Sequence, residues 1–235
     1  NKYKLPVIFQ PTYAYNEVAN HAAAMALALH RGIYQATTTT QDGKWIPATQ
    51  IAEITSIQDS TLGVIGCGRI GQTFIKKMQP FVKDIIGFDP AVTEAIPGVT
   101  MTKNLDELLT KCKIISMHAP YMPSTHHMIG KRELALMQKG SILVNVSRGG
   151  LIDETALIEA LESGHLDGAG LDVFEKEPLA EDAPIRKTKN LLLSPHIAWY
   201  SKSSGPRLVE WGLVDAVNFV TKQSISNGKF AAGPF

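Results

Sequence analysis

The apolar run from Thr61 to Gly66 leads into the turn Gly66-x-Gly68-x-x-Gly71 and then into an amphipathic stretch that starts near Arg69. No other feature constrains the fold as much. A glycine-rich turn that ends a strand, opens a helix and is followed by an acid about twenty residues on reads as a dinucleotide-binding signature. Here the acid is Asp89, 18 residues past Gly71 and at the end of the next apolar run, Asp84 to Asp89. Each glycine has its own task. Gly66 permits the tight turn, Gly68 lets the backbone approach a pyrophosphate, and Gly71 lets the helix pack closely on the sheet. The helix start offers N–H donors and a positive dipole end to phosphate. Asp89 is placed to accept hydrogen bonds from ribose hydroxyls and to repel a 2′-phosphate. No Arg follows it in FDPAV, so NAD is expected rather than NADP. Two alternatives stay open at this point: a glycine turn without a ligand, and a methyltransferase that uses an adenosyl cofactor.

The rest of the chain repeats the alternation. Strand-like runs are expected at Leu5 to Phe9, Thr61 to Gly66, Asp84 to Asp89, KIISMHAP, Ser141 to Ser147, GAGLDVF and NLLLSPH. Helices are expected over Glu17 to Ala36, Arg69 to Phe81, a short stretch capped by Asn104 or Asp106, Arg132 to Gln138, Glu154 to Glu162 capped by Asp153 and ended by Gly164, and Leu208 to Thr221. The polar stretch Thr37 to Lys44 reads as a loop. Strands that are apolar on both faces belong in a parallel sheet covered on both sides. The fold class is therefore α/β, a doubly wound parallel sheet of the Rossmann type.

Composition excludes several classes. The 235 residues carry 23 basic and 22 acidic side chains with no charged block, so no nucleic-acid or anionic-membrane partner is expected. No apolar run reaches membrane-spanning length. Cys67 and Cys112 form no CxxC pair, which favours a reducing, cytoplasmic setting. His21, His30, His126, His127 and His165 show no metal-ligand spacing and read as ordinary surface or core histidines. No metal is expected.

Three stretches carry a family resemblance: LGVIGCGRIGQ with Asp89 behind it, MHAPYMPSTHHMI, and ILVNVSRGGLIDETALIEALESGHLDGAGLDVFEKEPL followed by LLLSPHIAWYS. Over roughly residues 14 to 225 the chain resembles the D-isomer-specific 2-hydroxyacid dehydrogenases. NEVANHAAAMALAL and PHIAWYS look most like the branch related to the C-terminal binding proteins. Asn20, where an acid is usual, and Met122, where Thr is common, depart from the family pattern.

The resemblance implies a catalytic trio: Arg148 for the substrate carboxylate, His196 as acid/base, and Glu177 as its acidic partner. Glu175 is the rival acid in FEKEP, and the resemblance selects the Glu directly before Pro178. The chemistry suits a 2-keto acid. A guanidinium holds a carboxylate with paired directional bonds. An imidazolium gives a proton to the oxygen on which charge grows, and a carboxylate orients the ring and favours its charged form. Each residue also has a structural reading: a surface arginine, a solvated loop acid and a strand-end histidine.

For the cofactor, the resemblance adds Arg69 and Ile70 on the phosphate turn, Ala119, Pro120 and Thr125 along the adenine and ribose side, Val146 and Ser147 under the nicotinamide end, and Asp172 for the carboxamide. His118 belongs to the same wall, with a structural role as its alternative.

The implied organisation is residues 1–13 as a remnant of a substrate domain, 14–200 as the NAD-binding domain, and 201–235 as a C-terminal helix and tail returning towards the substrate domain, which is itself largely missing. The implied reaction is hydride transfer between NAD(H) and a small 2-hydroxy or 2-keto acid, in a homodimer built on the Glu17 to Ala36 helix. The alternatives are a dinucleotide-responsive binding module of the corepressor type and a truncated, inactive fragment. Formate dehydrogenases fit less well, since the resemblance there calls for Gln at the position of Glu177.

Overall fold

In the computed structural model residues 6–50, 54–222 and 224–232 are described. The chain divides into two compact units, Ala19–Ala198 and a smaller one made of Asn1–Val18 with Trp199–Phe235.

The larger unit is built on seven strands: β2 (Thr61–Ile65), β3 (Asp84–Phe88), β4 (Thr100–Thr102), β5 (Ile114–Met117), β6 (Ser141–Asn145), β7 (Leu166–Leu171) and β8 (Leu191–Leu193). They lie in the order β4-β3-β2-β5-β6-β7-β8, and every neighbouring pair is parallel. Succession leaves β2 in one direction through β3 and β4 and in the other from β5 onward. The topological switch point therefore lies between β2 and β5, and dinucleotides bind outside the strand ends at such a crevice. All residues of β5 and β6 are buried, which explains why apolar side chains fill both faces of these strands with only Ser116, Ser141 and Asn145 as polar exceptions.

The helices are α1 (Tyr15–His30), α2 (Ile33–Gln41), α3 (Arg69–Met78), α4 (Leu105–Lys111), α5 (Lys131–Leu136) and α6 (Glu154–Glu162). Local caps set several ends. Asn104 accepts from the Asp106 amide, Asp153 accepts from the Ala156 amide, and Gly164 at φ 68° closes α6. Beneath the helices, Ile115, Met117, Leu143, Leu157 and Leu171 form part of one continuous core.

Three elements differ from expectation. The long helix foreseen over Glu17 to Ala36 is two helices, because Gly32 adopts the left-handed conformation at φ 62°. The stretch Thr37 to Lys44 foreseen as a loop stays helical to Gln41. Its threonines are poor helix formers, and α2 buries no residue, so no apolar period marks it. Strand β4 was not foreseen: three residues, TMT, are too few to show a period.

The smaller unit pairs β1 (Val7–Phe9) antiparallel with β9 (Lys229–Ala232) and carries α7 (Ser204–Lys222). Of the run foreseen over Leu5 to Phe9, Leu5 lies outside the described residues. Helix α7 begins four residues earlier than Leu208 because Ser201 Oγ accepts from the Ser203 and Ser204 amides, a local N-cap. Asp215 on α7 is fully buried, and it accepts from Gln10 Nε2 at 2.9 Å and from the amides of Ser226, Asn227 and Gly228. One carboxylate thus ties together the two ends of the chain in this unit.

Candidate active site

The phosphate turn joins β2 to α3, and its three glycines are needed for three different reasons. Gly66 sits at φ 91°, and a Cβ there would lie 2.5 Å from the Ala119 amide nitrogen. A Cβ on Gly71 would lie 2.0 Å from the Gly66 carbonyl oxygen, which is how closely α3 packs on the turn. A Cβ on Gly68 would meet no protein atom within 4 Å. Protein packing therefore does not require glycine at position 68, and the space beside it is open to the close approach of a ligand. Gly68, the N-cap of α3, has no side chain with which to cap the helix, and a helix N-terminus of this kind suits a pyrophosphate.

Asp89 lies beside this turn at the end of β3. Its carboxylate accepts from the Cys67 amide at 2.9 Å and the Ala91 amide at 2.8 Å, which fixes the acid against the glycine turn. Lys103 Nζ donates to the carbonyls of Asp89 and Val92, so its charge is spent closing that bend.

Opposite lies the segment after β5. The His118 ring packs at a tilt against Phe74, centroids 4.9 Å apart, and meets Ser116 Oγ through Nε2 at 2.9 Å. Burial pushes its imidazole down to about 3, so the ring is neutral. Ala119 touches the Gly66 position, Pro120 is exposed, and Thr125 Oγ1 donates to the Pro120 carbonyl at 2.9 Å. Val146 and Ser147 follow β6, with Ser147 Oγ donating to the Met117 carbonyl at 2.8 Å.

Three loops at the carboxyl ends of β6, β7 and β8 carry the trio. His196 Nδ1 lies 2.7 Å from Glu177 Oε2, while Glu177 Oε1 accepts from the Phe174 amide at 3.0 Å. Burial pushes the Glu177 carboxyl up. The bonds from His196 and Phe174, helped by the charges of His196 and Arg148, outweigh it and hold the group below the ordinary carboxylate range. Arg148 is exposed and its Nη1 donates to the Ser147 carbonyl at 2.6 Å. The next residue, Gly149, presses on the Glu177 loop, since a Cβ there would lie 1.8 Å from the Phe174 carbonyl carbon. Glu177 and His196 line a cavity of about 570 Å³ with Phe174, Pro178, Leu193 and Pro195.

Asp172 has a structural part in the site. It is completely buried, and its oxygens accept from Ser194 Oγ at 2.6 Å, the Ile197 amide at 2.9 Å and the Ala198 amide at 2.8 Å. Its carbonyl takes the His196 amide. A carboxylate engaged in this way braces the turn on which His196 sits at φ 56°, a left-handed conformation rare for a non-glycine residue. This bracing comes in addition to the carboxamide contact that the resemblance implies.

Sequence reasoning also passed over His21, whose Nε2 lies 2.8 Å from Ser194 Oγ, and His127, whose Nε2 lies 2.8 Å from Glu175 Oε1. The partners are 173 and 48 residues away, so spacing held no signal. The rival acids of FEKEP are thereby separated: Glu177 takes His196 and Glu175 takes His127.

Residues 23–198 match the model of the "D-isomer specific 2-hydroxyacid dehydrogenase, NAD binding domain". Among curated proteins, the D-3-phosphoglycerate dehydrogenase of Methanocaldococcus jannaschii is 40% identical over 81% of this chain and 36% of its own length. The glycerate dehydrogenase of Methylorubrum extorquens is 35% identical over 87% of this chain and 65% of its own. The chain thus spans from about a third to just under two thirds of the length of these relatives. Among solved structures, the D-lactate dehydrogenase of Aquifex aeolicus, complexed with NAD and lactic acid, superposes with a TM-score of 0.87 at 31% identity, covering 100% of this chain and 75% of that one. These relatives give no support to the corepressor alternative or to a place in that branch.

Proposed function

Because the chain belongs to the D-isomer-specific 2-hydroxyacid dehydrogenase family and contains its NAD-binding domain, we propose that it transfers a hydride between NAD(H) and a small 2-hydroxy or 2-keto acid. The observation that carries this reading is the pairing of His196 Nδ1 with Glu177 Oε2 at 2.7 Å, on loops at the same sheet edge as Arg148. The glycine turn, with its open space at Gly68, fits a dinucleotide.

The nicotinamide, when bound, supplies or accepts the hydride. Arg148 binds the substrate carboxylate through its guanidinium. With Nδ1 held by Glu177, His196 exchanges the proton through Nε2. It gives that proton to the carbonyl oxygen in reduction and takes it from the hydroxyl in oxidation. Glu177 orients the ring and balances its charge, and Asp172 holds the turn beneath it. Gly66, Gly68, Arg69, Ile70 and Gly71 hold the pyrophosphate, and Asp89 the adenosine ribose. Ala119, Pro120, Thr125, Val146 and Ser147 flank the rest of the dinucleotide.

In this reading residues 14–200 serve as the dinucleotide-binding domain, with 1–13 and 201–235 as parts of a substrate-domain layer. The protein acts as a homodimer built on α1, in the cytoplasm, where the unpaired thiols of Cys67 and Cys112 stay reduced. Among the described residues no helix is long and apolar enough to cross a membrane.

The test is NADH oxidation against glyoxylate, hydroxypyruvate and pyruvate, with NADH binding followed by fluorescence. Turnover is expected, and His196→Ala is expected to lower it by roughly a hundredfold or more without loss of NADH binding. Turnover unaffected by His196→Ala would overturn the assignment.

A further inference from the structure

Beside the trio lies a second group of titratable side chains that the proposed reaction does not use. His127 Nε2 meets Glu175 Oε1 at 2.8 Å, and the Glu154 amide donates to the same oxygen at 3.3 Å. In return the Glu175 amide donates to Glu154 Oε1 at 2.6 Å. The start of α6 and the loop after β7 are thus bracketed reciprocally, and His127 supplies the donor that joins them to a third segment. That segment is the one after β5, which carries Ala119, Pro120 and Thr125. It is tied further by the His127 amide to the Gly150 carbonyl at 2.8 Å and the Ile129 amide to the Leu151 carbonyl at 3.0 Å.

Two facts point away from a loose surface ion pair. His127 holds its place at φ 49°, a left-handed conformation that a non-glycine residue keeps only when its surroundings over-determine it. Its ring is stacked at 3.8 Å on His126, which in turn meets Tyr121 through Nδ1 at 3.2 Å. Facing His127 are therefore Glu175 from the β7 loop, Glu154 from α6 and His126 from its own segment, with Tyr121 behind His126. Burial pushes the Glu154 carboxyl up, the Glu175 amide pulls it down, and the charges of Glu175 and His127 act on it in opposite senses.

We propose that His127 is a positioning residue: by anchoring Glu175 it fixes the Phe174–Glu177 segment, and so holds Glu177 on His196, while linking that loop to the wall of the dinucleotide site. The backbone makes the connection short. Glu177 is held by the Phe174 amide, and Gly149, next to Arg148, packs directly against Phe174 and Glu175. Displacing Glu175 moves the surface against which both the Arg148 and the Glu177 loops are set. The consequence for the reaction rests on the function proposed above, whereas the effect on Glu177 does not.

The test is a carbon-13 NMR titration of the Glu177 carboxyl, assigned with Glu177→Gln, in the unaltered chain, His127→Ala and His127→Gln. Glutamine keeps a donor at about the reach of Nε2. In the unaltered chain and in His127→Gln the Glu177 titration is expected to stay below the ordinary range. In His127→Ala it is expected to rise as the His196 contact loosens, with kcat on 2-keto acids falling roughly tenfold or more and NADH binding kept. Should His127→Ala fail to fold, Glu175→Gln is expected to move Glu177 in the same direction. An identical Glu177 titration in all folded variants overturns the positioning role. A Glu177 shift that depends on His127, in a chain that turns over none of the acids, upholds the positioning role and counts against the reaction instead.

Discussion

Gly68 and Gly71 are both glycines of one motif, yet the structure gives them opposite sensitivities. Gly71→Ala places a methyl 2.0 Å from the Gly66 carbonyl. It is expected to cost about 1–3 kcal/mol of stability by overpacking and to lose NADH binding with it. Gly68→Ala meets no protein atom, so stability should change by roughly 0.5 kcal/mol or less while NADH affinity falls. Urea unfolding alongside a fluorescence titration separates the two; equal losses of stability would contradict the geometry. Asp172→Asn replaces a buried acceptor of three hydrogen bonds with a group that has one acceptor oxygen. It is expected to cost about 1–3 kcal/mol. Turnover should drop more than NADH affinity does, because the turn carrying His196 is what loosens. An equal loss of both would point to the cofactor contact rather than the bracing as the main part of Asp172.

At the scale of elements, local chemistry sets most boundaries and long-range contacts set the rest. The cap Asp153, and Asn104 as one of two candidates with Asp106, were legible because a cap and its amide lie within three residues. The break at Gly32 was not, since a glycine inside an apolar helix pattern reads equally well as a tolerated residue. In the smaller unit Asp215 makes a pH-dependent element. Burial alone would push its carboxyl up, but the bonds from Gln10, Ser226, Asn227 and Gly228 hold it down at about 2, against an ordinary 3.8. A value depressed in the folded state contributes stability that is present above pH 3.8 and is lost as the pH falls towards about 2. Amide exchange at Ser226, Asn227 and Gly228 is expected to speed up through that window. Asp215→Asn should be less protected at neutral pH and lose the acid step, and an acid step that persists in the variant would rule this account out.

For the whole molecule, the parallel order β4-β3-β2-β5-β6-β7-β8 places the glycine turn and the three loops of the trio along one edge of the sheet. In the proposed reaction this arrangement lets a dinucleotide and a small acid meet. The exposed Ile33, Tyr34 and Trp45 after α1 give the proposed dimer apolar surface to cover. Light scattering is expected to give twice the mass of the 25.6 kDa chain at micromolar concentration; a single-chain mass would remove the dimer.

The fold class and the phosphate turn were both carried by the sequence itself. Each depends on residues a few positions apart or on apolar runs whose length and spacing already imply a buried parallel sheet. Which acid meets which histidine in FEKEP, what Asp172 holds, and how β1 finds β9 were decided only by tertiary structure. Those contacts join segments from 19 to more than 200 residues apart. Sequence spacing records neighbours along the chain, whereas the choice among distant partners is made by where the sheet brings its loops and which buried polar groups must be satisfied there.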